Sequence, residues 1–166
     1  MMKTIQKDEY IFSVDVEKTN EYYQTHALCD CVCCRNYYPQ IKKALPKLAE
    51  FLNEFGVDIE RPDEICSVES NNTIDYINVD YTVCGNVQTM GQYEIDIQDH
   101  LFLSLVITDG FASPNEQVGE YFTISVMNIE LPWVLDESFP KPITEKVIEK
   151  SNNFLSKLFK KDDPSS

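Results

Sequence analysis

Between Pro62 and Pro140 the sequence contains no lysine and no arginine, although the same stretch holds fourteen aspartates and glutamates. The chain of 166 residues has a formal net charge of −14, so this stretch carries essentially the whole imbalance. A field of one sign repels nucleic acid and anionic membranes, and it attracts basic proteins or cations. We therefore expect no nucleic-acid partner and no membrane partner, and we expect any protein partner to be basic.

Long hydrophobic runs are also missing. The longest apolar run, residues 101–107, is interrupted by Ser104 and is too short to span a bilayer. The N-terminus has no apolar signal segment. We expect a cytoplasmic protein, in which the six cysteines are thiols or metal ligands rather than disulfides.

Recognisable catalytic motifs are absent from the sequence. There is no phosphate-binding glycine loop, no G-x-G-x-x-G, no H-E-x-x-H and no nucleophile elbow. The chain has only two histidines, and His100 lies beside Asp99 at a predicted turn, where a surface role is typical. A non-enzymatic protein is the expectation.

The spacing of apolar residues predicts helices on both sides of a strand-rich centre. Thr19 or Asn20 is expected to cap a helix that runs towards Leu28. Residues 41–55 carry an apolar stripe at helical spacing, with Gly56 placed to end the helix and Pro46 predicting a kink or two joined helices. A C-terminal amphipathic helix is predicted from Val147, Phe154, Leu155 and Leu158.

Between these helices the apolar period changes to two, which predicts strands. A first strand covers residues 10–16, and others follow at 77–83, 93–97, 101–107 and 122–126. The 101–107 run is apolar on both faces, which predicts a central strand. We therefore predict an α+β fold: an antiparallel β-meander of about five strands with helices packed on one face. Residues 1–160 form one domain, and residues 161–166 are expected to be a frayed tail.

A dense group of potential ligands lies between residues 26 and 34. His26, Cys29, Cys31 and Cys34 offer the nitrogen and sulfur donors that zinc prefers, although ordinary zinc sites take pairs from two separate segments. Cys66 or Cys84 could add a ligand from the sheet.

Two other interpretations of the group remain open. Cys31 and Cys34 form a C-x-x-C pair before a predicted helix, where a thiol redox role would profit from Arg35 but not from Asp30. Buried cysteines that simply pack in the core are the third interpretation.

The cysteine segment carries a resemblance. The pattern H-x-L-C-D-C-x-x-C-R-N-Y, from His26 to Tyr37, resembles a bacterial family of uncharacterised proteins. This resemblance implies no activity and transfers no functional residue.

Two functions follow as hypotheses. The first is a non-enzymatic protein that binds a basic protein, in the manner of an immunity protein or inhibitor, through Asp75, Asp80, Glu94 and Asp96 on the water-facing side of the sheet. The alternative is a metal-binding protein with structural zinc at the 26–34 segment, and a thiol redox protein is a second alternative.

Overall fold

A computed structural model describes residues 1–97, 103–110, 119–141 and 143–159. Within these ranges the chain forms, in order, β1 (Met2–Lys7), β2 (Tyr10–Asp15), α1 (Val16–Thr25), α2 (Val32–Tyr37), α3 (Ile41–Ala44), α4 (Pro46–Glu54), β3 (Glu64–Ser70), β4 (Thr73–Thr89), β5 (Ser104–Asp109), β6 (Tyr121–Pro132) and α5 (Ile143–Phe159). The predicted α+β class, with an antiparallel sheet and a C-terminal helix, is confirmed.

The six strands form one sheet around the long strand β4. β3 pairs with residues 73–80 of β4 and β2 with residues 85–89, both on the edge opposite β6. β1 extends the sheet beyond β2, and β5 extends it beyond β6. A simple meander would have put β5 beside β4, but β6 takes that position.

Helix α1 fills the gap that β2 and β3 leave along β4. The Cys84 amide donates to Thr19 Oγ1 at 3.0 Å, and the Tyr23 hydroxyl donates to the Thr82 carbonyl at 2.8 Å. The Thr82 amide donates to Asp63 Oδ2 at 2.7 Å. These side chains replace the missing neighbouring strand, because buried backbone groups must be hydrogen-bonded.

Helix boundaries follow the capping residues. The Asp15 side chain accepts from the Lys18 amide at 3.1 Å, so α1 begins at Val16 rather than near Asn20, and it ends at Thr25 rather than near Leu28. Pro46 stands in the first turn of α4 and separates it from α3, which confirms the two-helix alternative.

Aromatic rings join the helices to one face of the sheet. The Phe12 ring on β2 lies 5.3 Å from Phe55 and 5.1 Å from Phe122 on β6. Tyr37 of α2 stacks edge-on against Tyr76 of β4 at 5.0 Å. α1 to α4 therefore share one core with the sheet.

Strand β4 changes its inward face at Ile77. Tyr76 is buried before this point and Val79 and Tyr81 after it, whereas Ile77 is 41% exposed. The register with β3 shifts between Cys66 and Ser67, as a β-bulge would cause. An unbroken period of two over the predicted strand 77–83 would place Ile77 on the same face as Val79, and the structure contradicts this.

Two predicted strands differ from the structure. The segment 93–97 is not a strand, and its Ile95 forms only an isolated bridge to Leu105. β5 covers Ser104–Asp109 and stands last in the strand order, with Val106 39% exposed, so the expected central strand is wrong. The apolar residues at its start, 101–102, lie outside the described residues.

Helix α5 forms as predicted, but its described apolar side chains face solvent. The exposed fractions are 58% for Ile148, 63% for Phe154, 46% for Leu155 and 53% for Leu158. The proposed boundary at residue 160 and the tail 161–166 lie outside the described residues.

Candidate functional site

The cysteine segment connects α1 to α2. The backbone turns extended at His26, where α1 ends, and Cys31 is the residue that precedes the first turn of α2. Cys29 therefore lies in the connection, Cys31 lies at its end, and Cys34 lies one turn into the helix. This path brings the three thiols to the same end of α2.

The Sγ atoms of Cys29, Cys31 and Cys34 all lie within 4.8 Å of one another. Cys29 and Cys31 are exposed, whereas Cys34 is buried. The Cys31 amide also donates to Cys29 Sγ at 3.5 Å. The three sulfurs are close enough to bind one ion together.

Hydrogen bonds from the surrounding fold hold this segment in place. The Tyr38 hydroxyl donates to the Cys29 carbonyl at 2.8 Å, and the Tyr76 hydroxyl donates to the Cys33 carbonyl at 2.6 Å. Arg35 Nε donates to the Asp30 carbonyl at 3.1 Å, and the Arg35 guanidinium forms a bidentate ion pair with the Glu137 carboxylate. The thiols are thus presented by an anchored loop.

The thiols differ in acidity. Partial burial raises the pKa of Cys31, but hydrogen bonds from the Cys34 backbone and from neighbouring thiols outweigh it, so the net pKa falls below its usual value. Burial, followed by hydrogen bonding to Cys31, raises the pKa of Cys34. Cys31 therefore reaches the thiolate form needed for metal binding more easily than Cys34.

The structure does not bring His26 into the thiol group. Its Nε2 lies 3.3 Å from the Pro62 carbonyl oxygen and 3.6 Å from Asp63 Oδ1, and its ring stacks on Tyr22 at 5.3 Å. The predicted four-residue set therefore divides into three neighbouring cysteines and a histidine that faces Asp63.

Asp63 is the residue that the sequence interpretation missed. Its side chain is only 7% exposed and accepts hydrogen bonds from the Tyr22 hydroxyl and the Thr82 amide, with the Tyr23 hydroxyl at 3.5 Å. Arg61 donates to the Tyr23 and His26 carbonyls beside it. The available signal was the charged segment 61–64, which leads into β3.

The remaining cysteines lie elsewhere in the described structure. Cys33 packs against the core, Cys66 is exposed on β3, and Cys84 is buried on β4. None of these three belongs to the group of clustered thiols. Neither Cys66 nor Cys84 supplies the extra sheet ligand that the sequence suggested.

The four acidic residues of the predicted partner surface differ in how far they are buried. Asp75 is half-buried, and Glu94 and Asp96 are exposed. Asp80 is only 6% exposed, and its buried carboxylate accepts hydrogen bonds from Asn78 Nδ2 at 2.9 Å and Ser125 Oγ at 2.6 Å. The expectation that Asp80 faces water is therefore wrong.

Among the described residues no ion pair reaches Asp75, Glu94 or Asp96. Asp75 on β4 pairs directly with Glu130 on β6, which sets two like charges opposite each other. Such a pair destabilises a sheet. The exposed acids retain the capacity to bind an external cation or basic group. His100 and Asp99 lie outside the described residues.

Comparison of the chain with protein-family models, with curated proteins and with solved structures found no match. No helix in the described ranges has the length and apolar character needed to cross a membrane. The chemistry of the side chains themselves must therefore carry any functional argument.

Proposed function

We propose that this protein binds one zinc ion through Cys29, Cys31 and Cys34. The observation that carries the proposal is that their three Sγ atoms lie within 4.8 Å of one another. A tetrahedral zinc ion with bonds of about 2.3 Å to sulfur needs thiolates about 3.8 Å apart. Small side-chain rotations would therefore close the group around an ion.

The donor type favours zinc over hard cations. Thiolates select zinc, copper(I) or iron–sulfur clusters, whereas calcium and magnesium require oxygen ligands. Thiols must stay reduced to bind a metal, which fits a cytoplasmic location.

A zinc ion here would stabilise the loop rather than create the fold. The ligands come from segment 29–34 alone, and the core packs without them. A ligand that binds only the folded chain adds about 2.7 kcal/mol at a hundredfold excess over its Kd. We therefore expect metal to raise the Tm by several degrees.

Elemental analysis of tag-free protein tests this proposal. We expect about one zinc per chain in the wild type, because a site built from three thiols holds one ion. The variant Cys29→Ser/Cys31→Ser should lose nearly all of it, and both positions are exposed, so the fold should survive. Cys66→Ser is the matched control, since Cys66 is also exposed but lies outside the group. Equal zinc in all three proteins would contradict the proposal.

A second candidate function rests on acidic residues between Pro62 and Pro140 that form no ion pair within the described ranges. We propose that Asp75, Glu94 and Asp96 bind a basic protein, as an immunity protein or inhibitor binds a cationic toxin. Two observations support this: Asp75 faces Glu130 without a compensating cation, and no ion pair within the described ranges reaches the three acids. Electrostatic complementarity of this kind accelerates association and depends on salt.

Charge reversal distinguishes binding at a specific acidic surface from attraction by the net charge of the whole protein. We expect Asp75→Lys/Glu94→Lys/Asp96→Lys to weaken binding to small cationic nucleases, used as probes, by about 10- to 100-fold at low salt. The control Glu21→Lys/Glu50→Lys/Asp58→Lys changes the net charge by the same amount, at exposed sites that precede Pro62. Titration calorimetry measures both. If both variants lose affinity to the same extent, the acidic sheet surface has no specific role.

A further inference from the structure

We propose that the ion at Cys29, Cys31 and Cys34 has one coordination position open to solvent, which takes a cysteine thiolate from another protein and so passes the metal on. This inference rests on the zinc site proposed above. It adds the class of ligand that the site accepts and assigns the site to metal exchange.

The number of donors carries the first step. Zinc in proteins is almost always four-coordinate, and sites with three protein ligands keep the fourth position for water or substrate. Here segment 29–34 provides three sulfurs within 4.8 Å. A fourth donor must come from outside that group.

Other nitrogen and sulfur donors in the described structure are engaged elsewhere. His26 contacts the Pro62 carbonyl and Asp63, and its ring stacks on Tyr22. Cys33 packs against the core, and Cys84 is buried on β4 beside Thr19, whose hydroxyl accepts from the Cys84 amide. The described chain thus offers no fourth nitrogen or sulfur donor at the cluster.

Burial sets the direction of the open position. Cys34 is the buried member of the group, whereas Cys29 and Cys31 are both exposed. An ion that binds all three therefore has Cys34 on its inner side and the exposed Cys29 and Cys31 at the surface, so its fourth coordination position faces solvent. A donor from a second protein can approach it there.

Charge and softness define the incoming ligand. An ion held by three thiolates is a soft acceptor, for which a thiolate is a preferred ligand. Arg35 lies beside the loop, but its guanidinium is paired with Glu137 and lies 3.5 Å from Asp30. It is therefore committed to these carboxylates and does not define an anion site for phosphate or carboxylate ligands.

The exchange step balances without any oxidant. The incoming thiol binds zinc through sulfur and releases its proton to water. The bond from zinc to Cys29 Sγ then breaks, and the Cys29 thiolate takes up a proton from water. Cys29 should leave first because it lies in the connection before α2, whereas Cys31 directly precedes the first turn of α2 and Cys34 lies within that helix. Zinc stays divalent throughout.

Cobalt substitution tests the open position. Co²⁺ bound in place of zinc reports its ligands through visible absorption bands, and 2-mercaptoethanol serves as the probe thiol. We expect the probe to shift these bands in a saturable way while cobalt stays bound. The double variant His26→Gln/His100→Gln removes both histidines of the chain. It should leave the starting spectrum unchanged, and a changed spectrum would show that a histidine closes the site.

Transfer kinetics provide the second readout. We expect the rate of zinc transfer to a thiol-rich acceptor peptide to rise in proportion to acceptor concentration, both in the wild type and in Cys66→Ser. A rate independent of acceptor concentration, with no spectral response to the probe thiol, would overturn the open position while leaving the zinc site intact. Failure to bind cobalt or zinc at all would instead overturn the site itself.

Discussion

At the scale of single residues, the thiol group lies at one end of the 26–34 segment and Asp63 contacts the other end. The three thiols lie at the N-terminal end of α2. Asp63 accepts a hydrogen bond from Tyr22 near the C-terminal end of α1 and another from the Thr82 amide. His26 follows α1 directly and lies 3.6 Å from Asp63, outside the thiol group. A carboxylate that is distant in sequence therefore anchors the end of α1, just before the cysteine segment.

Replacing Asp63 by Asn should lower the free energy of unfolding by about 1–3 kcal/mol. The carboxylate accepts from Tyr22 and the Thr82 amide, and an amide group would turn one donor towards other donors. Urea unfolding followed by circular dichroism measures the change. Asp136→Asn is the control, since Asp136 is exposed. Equal stability of the two variants would show that the hydrogen bonds of the Asp63 carboxylate do not stabilise the fold.

The sequence predicted that Cys29, Cys31 and Cys34 lie together, but it did not predict where His26 lies. Spacing alone groups Cys29, Cys31 and Cys34, because a short connection before a helix keeps them close. The direction of His26 depends on Asp63 and Pro62, which local spacing does not reveal. For the same reason the burial of Asp80 could not be predicted from the sequence, since its partner Ser125 lies on another strand.

At the scale of elements, the junction between α4 and α1 depends on Gly56. Its φ is +81°, and a Cβ built there would lie 2.4 Å from the Val16 carbonyl oxygen. The helix stop was predictable, because glycine commonly follows a helix in the left-handed region. The contact with α1 was not, because it arises only when the two helices pack.

Gly56→Ala should therefore cost more than an ordinary left-handed alanine. Gly110 has a similar φ of +86°, and no atom of the described residues lies within 4 Å of a built Cβ. We expect Gly110→Ala to cost about 1–2 kcal/mol from backbone strain alone, and Gly56→Ala to cost clearly more. Thermal unfolding of both variants provides the comparison. Similar losses would show that the Val16 contact relaxes freely.

Strand patterns were predictable where the period of two is unbroken. Phe122, Ile124 and Val126 of β6 are all buried, as their alternation indicates, although Thr123 and Ser125 between them are buried as well. The period fails at Ile77, because a bulge reverses the face of β4. Strand order was also hidden, since pairing of β4 with β6 rather than β5 depends on long-range contacts.

At the scale of the whole molecule, the core is unusually rich in buried tyrosine. Tyr23, Tyr37, Tyr76 and Tyr81 are all at most 1% exposed. The Tyr81 hydroxyl donates to the Ile59 carbonyl at 2.7 Å, so Tyr37 donates to the Tyr81 oxygen at 2.6 Å. These bonds satisfy the hydroxyls and join α2, β4 and the segment before β3.

This core predicts loss of stability at alkaline pH. Burial raises the pKa of Tyr23, Tyr37 and Tyr81 above the ordinary value of 10.0. The neutral phenols therefore favour the folded state fully below pH 10, and that advantage falls as the pH rises further, because the unfolded chain ionises first.

Phenolate absorbance and circular dichroism, recorded together, should show that the buried tyrosines ionise only as the protein unfolds. Tyr37→Phe should remove one phenolate from that coincident step. Ionisation of all nine tyrosines near pH 10 with an intact circular dichroism spectrum would contradict this description of the core.

The central claim is that three clustered thiols make this protein a zinc protein. The most direct measurement is elemental analysis of the purified protein, combined with thiol counting before and after a chelator is added. We predict about one zinc per chain and a reaction of Cys29, Cys31 and Cys34 only after the chelator removes the ion. No metal, with exposed Cys29 and Cys31 reacting as fast as exposed Cys66, would contradict the claim.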